Sequence, residues 1–288
     1  MTYCVAARLN AGLVFLSDSR TNAGVDQIGT FRKMNVFERP GERVMVLMTS
    51  GNLAISQAVI NLLAQHDESS PDSIWQANNM YTAARLVGDA VRQVHQRDGQ
   101  ALLEQGVDFN VSLIIGGQIA KERPRLFQVY AAGNFIETHG ECTYFQIGES
   151  KYGKPILDRV LSPETSLDEA AKCALISMDS TLKSNISVGM PLDLMVYESD
   201  SLRVTHFANI DEHNAYFQMI RSTWGERLKQ VFAEISDPMW SNPKAEKSLV
   251  PPGRIHQPVR VMPNGAAPPE DVSVPQVLAQ NESTRQRH

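Results

Sequence analysis

The chain is poor in the residue types that announce the commonest specialised chemistries. It has three cysteines, Cys4, Cys142 and Cys173, widely spaced and odd in number. That excludes a disulfide framework and a cysteine-rich zinc site, and leads us to expect buried, unpaired thiols in a reducing cytoplasm. No basic excess exists: 27 Lys+Arg face 32 Asp+Glu, a formal charge of −5. A surface without net positive charge gains little by releasing counterions from a phosphate backbone, so no nucleic-acid partner is expected. No apolar run approaches the roughly 18 residues of a membrane span, and the first residues lack the basic and apolar regions of a signal peptide. Neither a membrane partner nor export is therefore expected. Gly153-Lys154-Pro155 has neither the earlier glycine nor the Ser/Thr of a phosphate loop, and Gly148-Glu149-Ser150-Lys151-Tyr152 lacks the second glycine of a nucleophile elbow. Dedicated metal motifs and a Gly-x-Gly-x-x-Gly turn are missing too, so no metal and no organic cofactor is expected.

What is present divides unevenly. Nine of the chain's 15 prolines lie between Pro238 and His288, without helical or strand periodicity. Such composition buries too little apolar surface to offset its ordering entropy. We therefore expect one domain over residues 1–236 and a tail over 237–288, disordered or docked on a neighbour. Within the domain, Tyr3–Arg8 with Leu13–Ser17 and Lys33–Glu38 with Arg43–Thr49 read as two hairpins, the second joined by a Pro-Gly turn. Helical spacing follows at Asn52–His66 and Asn79–Gln105. Strands return at Asn110–Ile115, Arg125–Ala131 and Thr143–Ile147, then helices at Pro155–Val160 and Ser166–Lys183. The second of these opens with a capping box, Ser166 and Glu169. Leu192–Tyr197 and Leu202–His206 read as strands, and Asn214–Ile235 as a last helix. Hairpin-joined strand groups separated by helix pairs let two antiparallel sheets stack with helices outside. The expected fold is α+β, a four-layer α-β-β-α sandwich.

With other motifs excluded, attention falls on Thr2. Initiator methionine is normally trimmed before a small residue, and an N-terminal threonine brings a hydroxyl nucleophile and its own α-amine base in one residue. Leu13-Val14-Phe15-Leu16-Ser17 runs into Asp18-Ser19-Arg20, a carboxylate at the end of a buried-looking strand. A buried carboxylate needs a partner, and Lys33 heads the next strand group. An Asp18–Lys33 pair beside Thr2 would lower the hydroxyl's pKa and disfavour protonation of the amine. Ser50-Gly51 stands at a strand-to-helix junction, where free N–H groups can hold an oxyanion.

These residues together resemble a proteasome β-type subunit, an N-terminal nucleophile hydrolase, and most closely the bacterial Anbu (ancestral β-subunit) family. Phe145–Gly153 and Ser187–Pro191 resemble two later family segments. The likeness spans about Thr2 to Ile235. It implies that Thr2 is the nucleophile, that Asp18 and Lys33 activate it, and that the Gly51 N–H lines the oxyanion hole. Ser150, Asn185 and Ser187 take supporting positions. Two departures stand out. The family's Gly-Ser-Gly turn is Gly148-Glu149-Ser150 here, and an acid expected before the last segment is missing, with Asn185 nearby. The implied function is a cytoplasmic threonine peptidase acting on peptide or unfolded-protein substrates within a homo-oligomeric ring, split ring or spiral; any unfoldase partner is unspecified. A scaffold with vestigial activity and a small-amide hydrolase are the alternatives.

Overall fold

The computed structural model describes residues 2–23, 27–65, 68–140 and 142–238. Tyr3–Leu9 (β1) pairs with Gly12–Asp18 (β2), Arg20–Ala23 (β3) with Gln27–Thr30 (β4), and Met34–Arg39 (β5) with Arg43–Gly51 (β6), all antiparallel. Helices Leu53–Gln65 (α1) and Met80–Glu104 (α2) follow. Then come Val111–Ile119 (β7), Arg125–Val129 (β8), Phe135–Glu137 (β9) and Tyr144–Gly148 (β10). Helices Lys154–Val160 (α3) and Leu167–Ser184 (α4), strands Leu192–Glu198 (β11) and His206–Ile210 (β12), and helix Ala215–Glu234 (α5) complete the order. The chain separates into two compact units, Met1–Glu226, which carries every sheet, and Arg227–His288, whose described part is the end of α5 and the residues to Pro238. The tail expected from 237 lies, from residue 239 on, outside the described residues.

Two five-stranded sheets form the centre, ordered β10-β1-β2-β11-β12 and β5-β6-β7-β8-β9. Period-2 alternation assigns their side chains to different layers. In β6, Val44, Val46 and Met48 meet Cys4, Phe15 and Met195 of the other sheet. Met45 and Leu47 of the same strand face α1 and α2, against Ile55, Val59, Val87 and Val91. On the far side, Tyr3, Val5 and Leu16 pack against Leu175 and Met178 of α4. The result is the expected four-layer α-β-β-α sandwich. Strand β2 lies between β1 and β11 with both faces covered, and every residue in it is buried. That is why Leu13–Leu16 reads as an unbroken apolar run rather than an alternating one. Each fully buried Leu or Phe there contributes about 1.5–3 kcal/mol of transfer free energy, so the strand is a rigid base for whatever follows it.

Some expectations need correction. The β3–β4 pair was not foreseen, nor was β9. The last strand is His206–Ile210 rather than Leu202–His206: Leu202 takes φ +43°, outside any strand, and its N–H donates to the Tyr197 hydroxyl. Of the three free cysteines, Cys4 and Cys173 are buried, but Cys142 is exposed. The capping box forms as expected, with Ser166 and Glu169 bonding each other's backbone N–H. Among the described residues, no helix is long and apolar enough to cross a membrane.

Candidate active site

Asp18 is the last residue of β2, and the packing that buries the strand buries the carboxylate with it, at 0% exposure. Its oxygens are fully used. Oδ1 accepts from Lys33 Nζ at 2.6 Å and from the Tyr3 backbone N–H at 3.0 Å, while Oδ2 accepts from the Gly189 N–H at 3.2 Å. Burial pushes the carboxyl's pKa up, against the Lys33 ammonium and the two N–H groups, which pull it down. Lys33 directly precedes β5 and donates a second bond to the Arg20 carbonyl at 2.6 Å. The neighbouring loop is tied to the same place. Ser19 Oγ donates to the Pro191 carbonyl at 2.6 Å, and Arg20 Nη1 to the Ile186 carbonyl at 2.9 Å. A Cβ on Gly189 would lie 2.1 Å from Arg20 Nε, so a side chain there would push the guanidinium aside.

Thr2 precedes β1, and the strand's anchorage fixes its position. The next residue, Tyr3, is fully buried; its hydroxyl lies 2.5 Å from Ser177 Oγ on α4 and accepts from Gln146 Nε2 at 2.8 Å. Burial pushes the Tyr3 hydroxyl's pKa up, so it stays neutral and can donate. From the other side, the Thr2 carbonyl accepts the Glu149 N–H at 2.6 Å. Gly148 makes that approach possible: it takes φ +82°, and a Cβ there would sit 2.1 Å from the Thr2 oxygen. Thr2, Lys33, Gly51 and Ser150 line one cleft of about 550 Å³. Asp18 is not on its surface and lies behind Lys33.

Gly51 ends β6 with φ +103°, and a Cβ would lie 2.4 Å from the Asn110 carbonyl. Its lack of a side chain therefore serves the close approach of a neighbouring chain segment as well as access to the cleft. Asn52 follows, and its Oδ1 accepts the Ala54 N–H to start α1.

The supporting residues form a relay that sequence reasoning only half found. Asn185 is not on the cleft surface; its Nδ2 donates to Glu149 Oε2 at 2.9 Å, and its Oδ1 accepts the Ser187 N–H at 3.0 Å. Ser187 thus adjoins the site through Asn185. Glu149 is the residue missed. Its Oε1 accepts the N–H groups of Ser150 and Lys151, each at 2.9 Å. Burial raises its pKa, but those two donors and Asn185 together hold it below the ordinary range. The carboxylate therefore braces the turn after β10, whose backbone N–H at Glu149 holds the Thr2 carbonyl. The available signal was Gly148, a glycine at the end of a strand, followed by an acid.

The sequence profile described as Proteasome subunit matches residues 2–196. The chain belongs to the proteasome subunit family. Within that family it falls in the Anbu group. It is similar to the solved structure "Anbu (ancestral beta-subunit) from Yersinia bercovieri", with 52% identity, a TM-score of 0.79, and coverage of 83% of this chain and 100% of that one. It is likewise similar to an Anbu (Gly-1) mutant from Hyphomicrobium sp. strain MC1, at 51% identity and TM-score 0.77, covering 82% and 99%. A structure titled "Helical Assembly of the Anbu Complex from Pseudomonas aeruginosa" shares 48% identity at TM-score 0.79, covering 83% and 98%. More distantly, "Proteasome subunit beta 2" of Nitrosopumilus maritimus is 22% identical over 205 residues, 70% of this chain and 89% of that protein. The sandwich described above is thus the proteasome β-subunit form of the N-terminal nucleophile hydrolase fold.

Proposed function

We propose that this Anbu-type chain is a threonine peptidase that hydrolyses peptide bonds through an acyl ester on Thr2. The observation that carries the reading is the buried Lys33–Asp18 pair, 2.6 Å apart, opening onto the cleft that Thr2 lines. Removal of Met1 frees the Thr2 α-amine. Such amines titrate near 7.7–8.0, so a neutral base is available at physiological pH. The Thr2 oxygen attacks the substrate carbonyl carbon, and its proton passes to the α-amine directly or through a water. The Gly51 N–H stabilises the oxyanion. The leaving amine takes the proton as the C–N bond breaks. Water then cleaves the ester and restores the hydroxyl. Lys33 lowers the pKa of the hydroxyl, and Asp18 holds the ammonium in place. The proposed chemistry calls for no metal or organic cofactor. Glu149, with Asn185, Ser150 and Ser187 behind it, holds the turn against the Thr2 carbonyl.

Intact-mass analysis after treatment with an epoxyketone or β-lactone tests this. The wild-type chain, free of Met1, gains one adduct; Thr2→Ala and Lys33→Ala gain none.

Asn185, where an acid is expected in the family, favours a second reading: a scaffold on the same fold with weak activity. Both readings include self-association. The Pseudomonas aeruginosa relative is titled a helical assembly, and head-to-tail contacts close into rings or continue as spirals according to the rotation per subunit. We propose such an assembly here, in the cytoplasm, with peptide or unfolded-protein substrate, no nucleic-acid or membrane partner, and a folded domain ending near residue 236. Light scattering that finds a monomer near 31.9 kDa at every concentration contradicts the assembly.

A further inference from the structure

We infer that the cleft beside Thr2 selects a substrate whose side chain before the scissile bond is a neutral carboxamide, and that Thr21, Thr49, Ser112 and Gln128 make the selection. The inference rests on the peptidase reading above and concerns what the cleft accepts rather than whether Thr2 reacts.

The argument begins in the sheets. Strands β7 and β8 send Ile114 and Leu126 into the dry layer between the two sheets. By period-2 alternation Ser112 and Gln128 continue the same face, and there the layer opens into the cleft. The apolar face turns polar where substrate would enter. Thr49 near the end of β6 and Thr21 of β3 also line the cleft. Among the described residues lining the cleft, the aliphatic side chains of size are Leu53 and Ile147; there is no aromatic ring and no carboxylate.

One of these hydroxyls is without a partner among the described residues. Thr21 Oγ1 is enclosed and has no hydrogen-bond partner. An enclosed hydroxyl without a partner carries a desolvation penalty of about 1–3 kcal/mol, which is relieved when the Thr21 side chain turns to bond a ligand in the cleft. Other polar groups of the wall are already committed: Ser50 Oγ donates to the Ser112 carbonyl, Ser56 Oγ to the Asn52 carbonyl, and Gln146 to Tyr3. Each cation of the lining already makes a hydrogen bond elsewhere. Lys33 is paired with Asp18, and the Arg20 guanidinium is turned to the Ile186 carbonyl and the Gly189 loop. What Thr21, Thr49, Ser112 and Gln128 offer is neutral and of both kinds, donor and acceptor, because hydroxyls and a carboxamide serve as either. A glutamine or asparagine side chain offers the complement. A leucine or phenylalanine side chain would strip water from these groups without replacing its bonds, and sites built to hydrogen-bond a substrate reject analogues that cannot respond.

The test uses the full-length Thr2→Ala variant, which keeps the cleft and lacks the nucleophile. Acetylated tripeptide amides ending in glutamine, leucine, phenylalanine or glutamate are titrated against it by calorimetry. The glutamine peptide is expected to bind about tenfold more tightly than the leucine peptide, the effect of one to two net hydrogen bonds. Gln128→Leu and Thr21→Val, each added to that variant, are expected to reduce the difference to about twofold or less. Equal or tighter binding of leucine or phenylalanine overturns the inference, as does preference for glutamate, which would assign selection to Arg20. Failure of all four to bind overturns it too. A parallel arm treats the wild-type chain with a glutaminyl epoxyketone. If no adduct forms while Thr2→Ala still prefers glutamine, the cleft assignment stands and the Thr2 nucleophile falls.

Discussion

Replacing Asp18 with asparagine probes the part of the site on which both fold and chemistry depend. Asp18 is fully enclosed, and the Lys33 side chain beside it is 7% exposed. Asparagine keeps one oxygen, which can still accept from Lys33 and the Tyr3 N–H. Its NH2 then faces the Gly189 N–H, donor against donor, where Oδ2 now accepts at 3.2 Å. The ammonium is also left without a counter-charge, with the Arg20 carbonyl as its remaining strong acceptor. Breaking a buried ion pair by removing one partner costs about 3–5 kcal/mol. The retained carbonyl and the cleft's access to water place this case near the lower end, roughly 3 kcal/mol. For a domain of this size each kcal/mol moves Tm by about 2–4 °C, so the expected fall is roughly 6–12 °C. Differential scanning fluorimetry of the full-length protein at pH 7 reads it directly. The double variant Asp18→Asn/Lys33→Met, which removes both charges, should recover part of the loss, because an uncharged, packed pair no longer strands an ammonium. Both variants should fail to label with an epoxyketone. An Asp18→Asn protein melting within about 1 °C of wild type would refute the reasoning, since the pair would then carry no structural weight.

Other outcomes follow from the same contacts. Glu149 is held below its ordinary value near 4.5, so its contribution to stability is full above that pH and is lost as pH falls through its lower folded value. Glu149→Gln should therefore melt earlier than wild type at pH 7, and the gap should narrow in acid; a gap unchanged between pH 7 and pH 3 argues against the relay. Gly51→Ala forces a Cβ to 2.4 Å from the Asn110 carbonyl at φ +103°, and a drop in Tm of several degrees with loss of labelling is expected, whereas a neutral substitution would mean the junction yields freely. Cleaving the chain after Ser236 should shift Tm by only a few degrees, measured by the same fluorimetry, and collapse of the shortened protein would contradict the proposed boundary.

The long elements were legible because burial imposes periodicity. The helical stripe through Ala84, Val87, Val91 and Val94 marks the face of α2 that packs on the second sheet. The apolar run ending in Asp18 marks a strand covered on both faces. Shorter elements left no such trace. Arg20–Ala23 and Gln27–Thr30 are polar and four residues each, so no alternation announces them. Strand β12 exposes His206 through Asn209, and a solvated strand has no face to pattern. The same logic divides the site. Asp18 and Lys33 could be read because a carboxylate after a buried strand demands a cation. Glu149 could not, because its worth lies in backbone N–H groups and in an amide 36 residues away, which only the folded chain brings together.

The central claim is that Thr2 is the nucleophile, and covalent labelling read by intact mass and peptide mapping tests it most directly. Wild-type protein lacking Met1 should carry one epoxyketone adduct per chain, mapped to Thr2 and involving both its hydroxyl and its amine. The Thr2→Ala protein should carry none, with an unchanged melting curve. An adduct that persists in Thr2→Ala, maps to another residue, or never forms on a correctly trimmed wild-type chain contradicts the account.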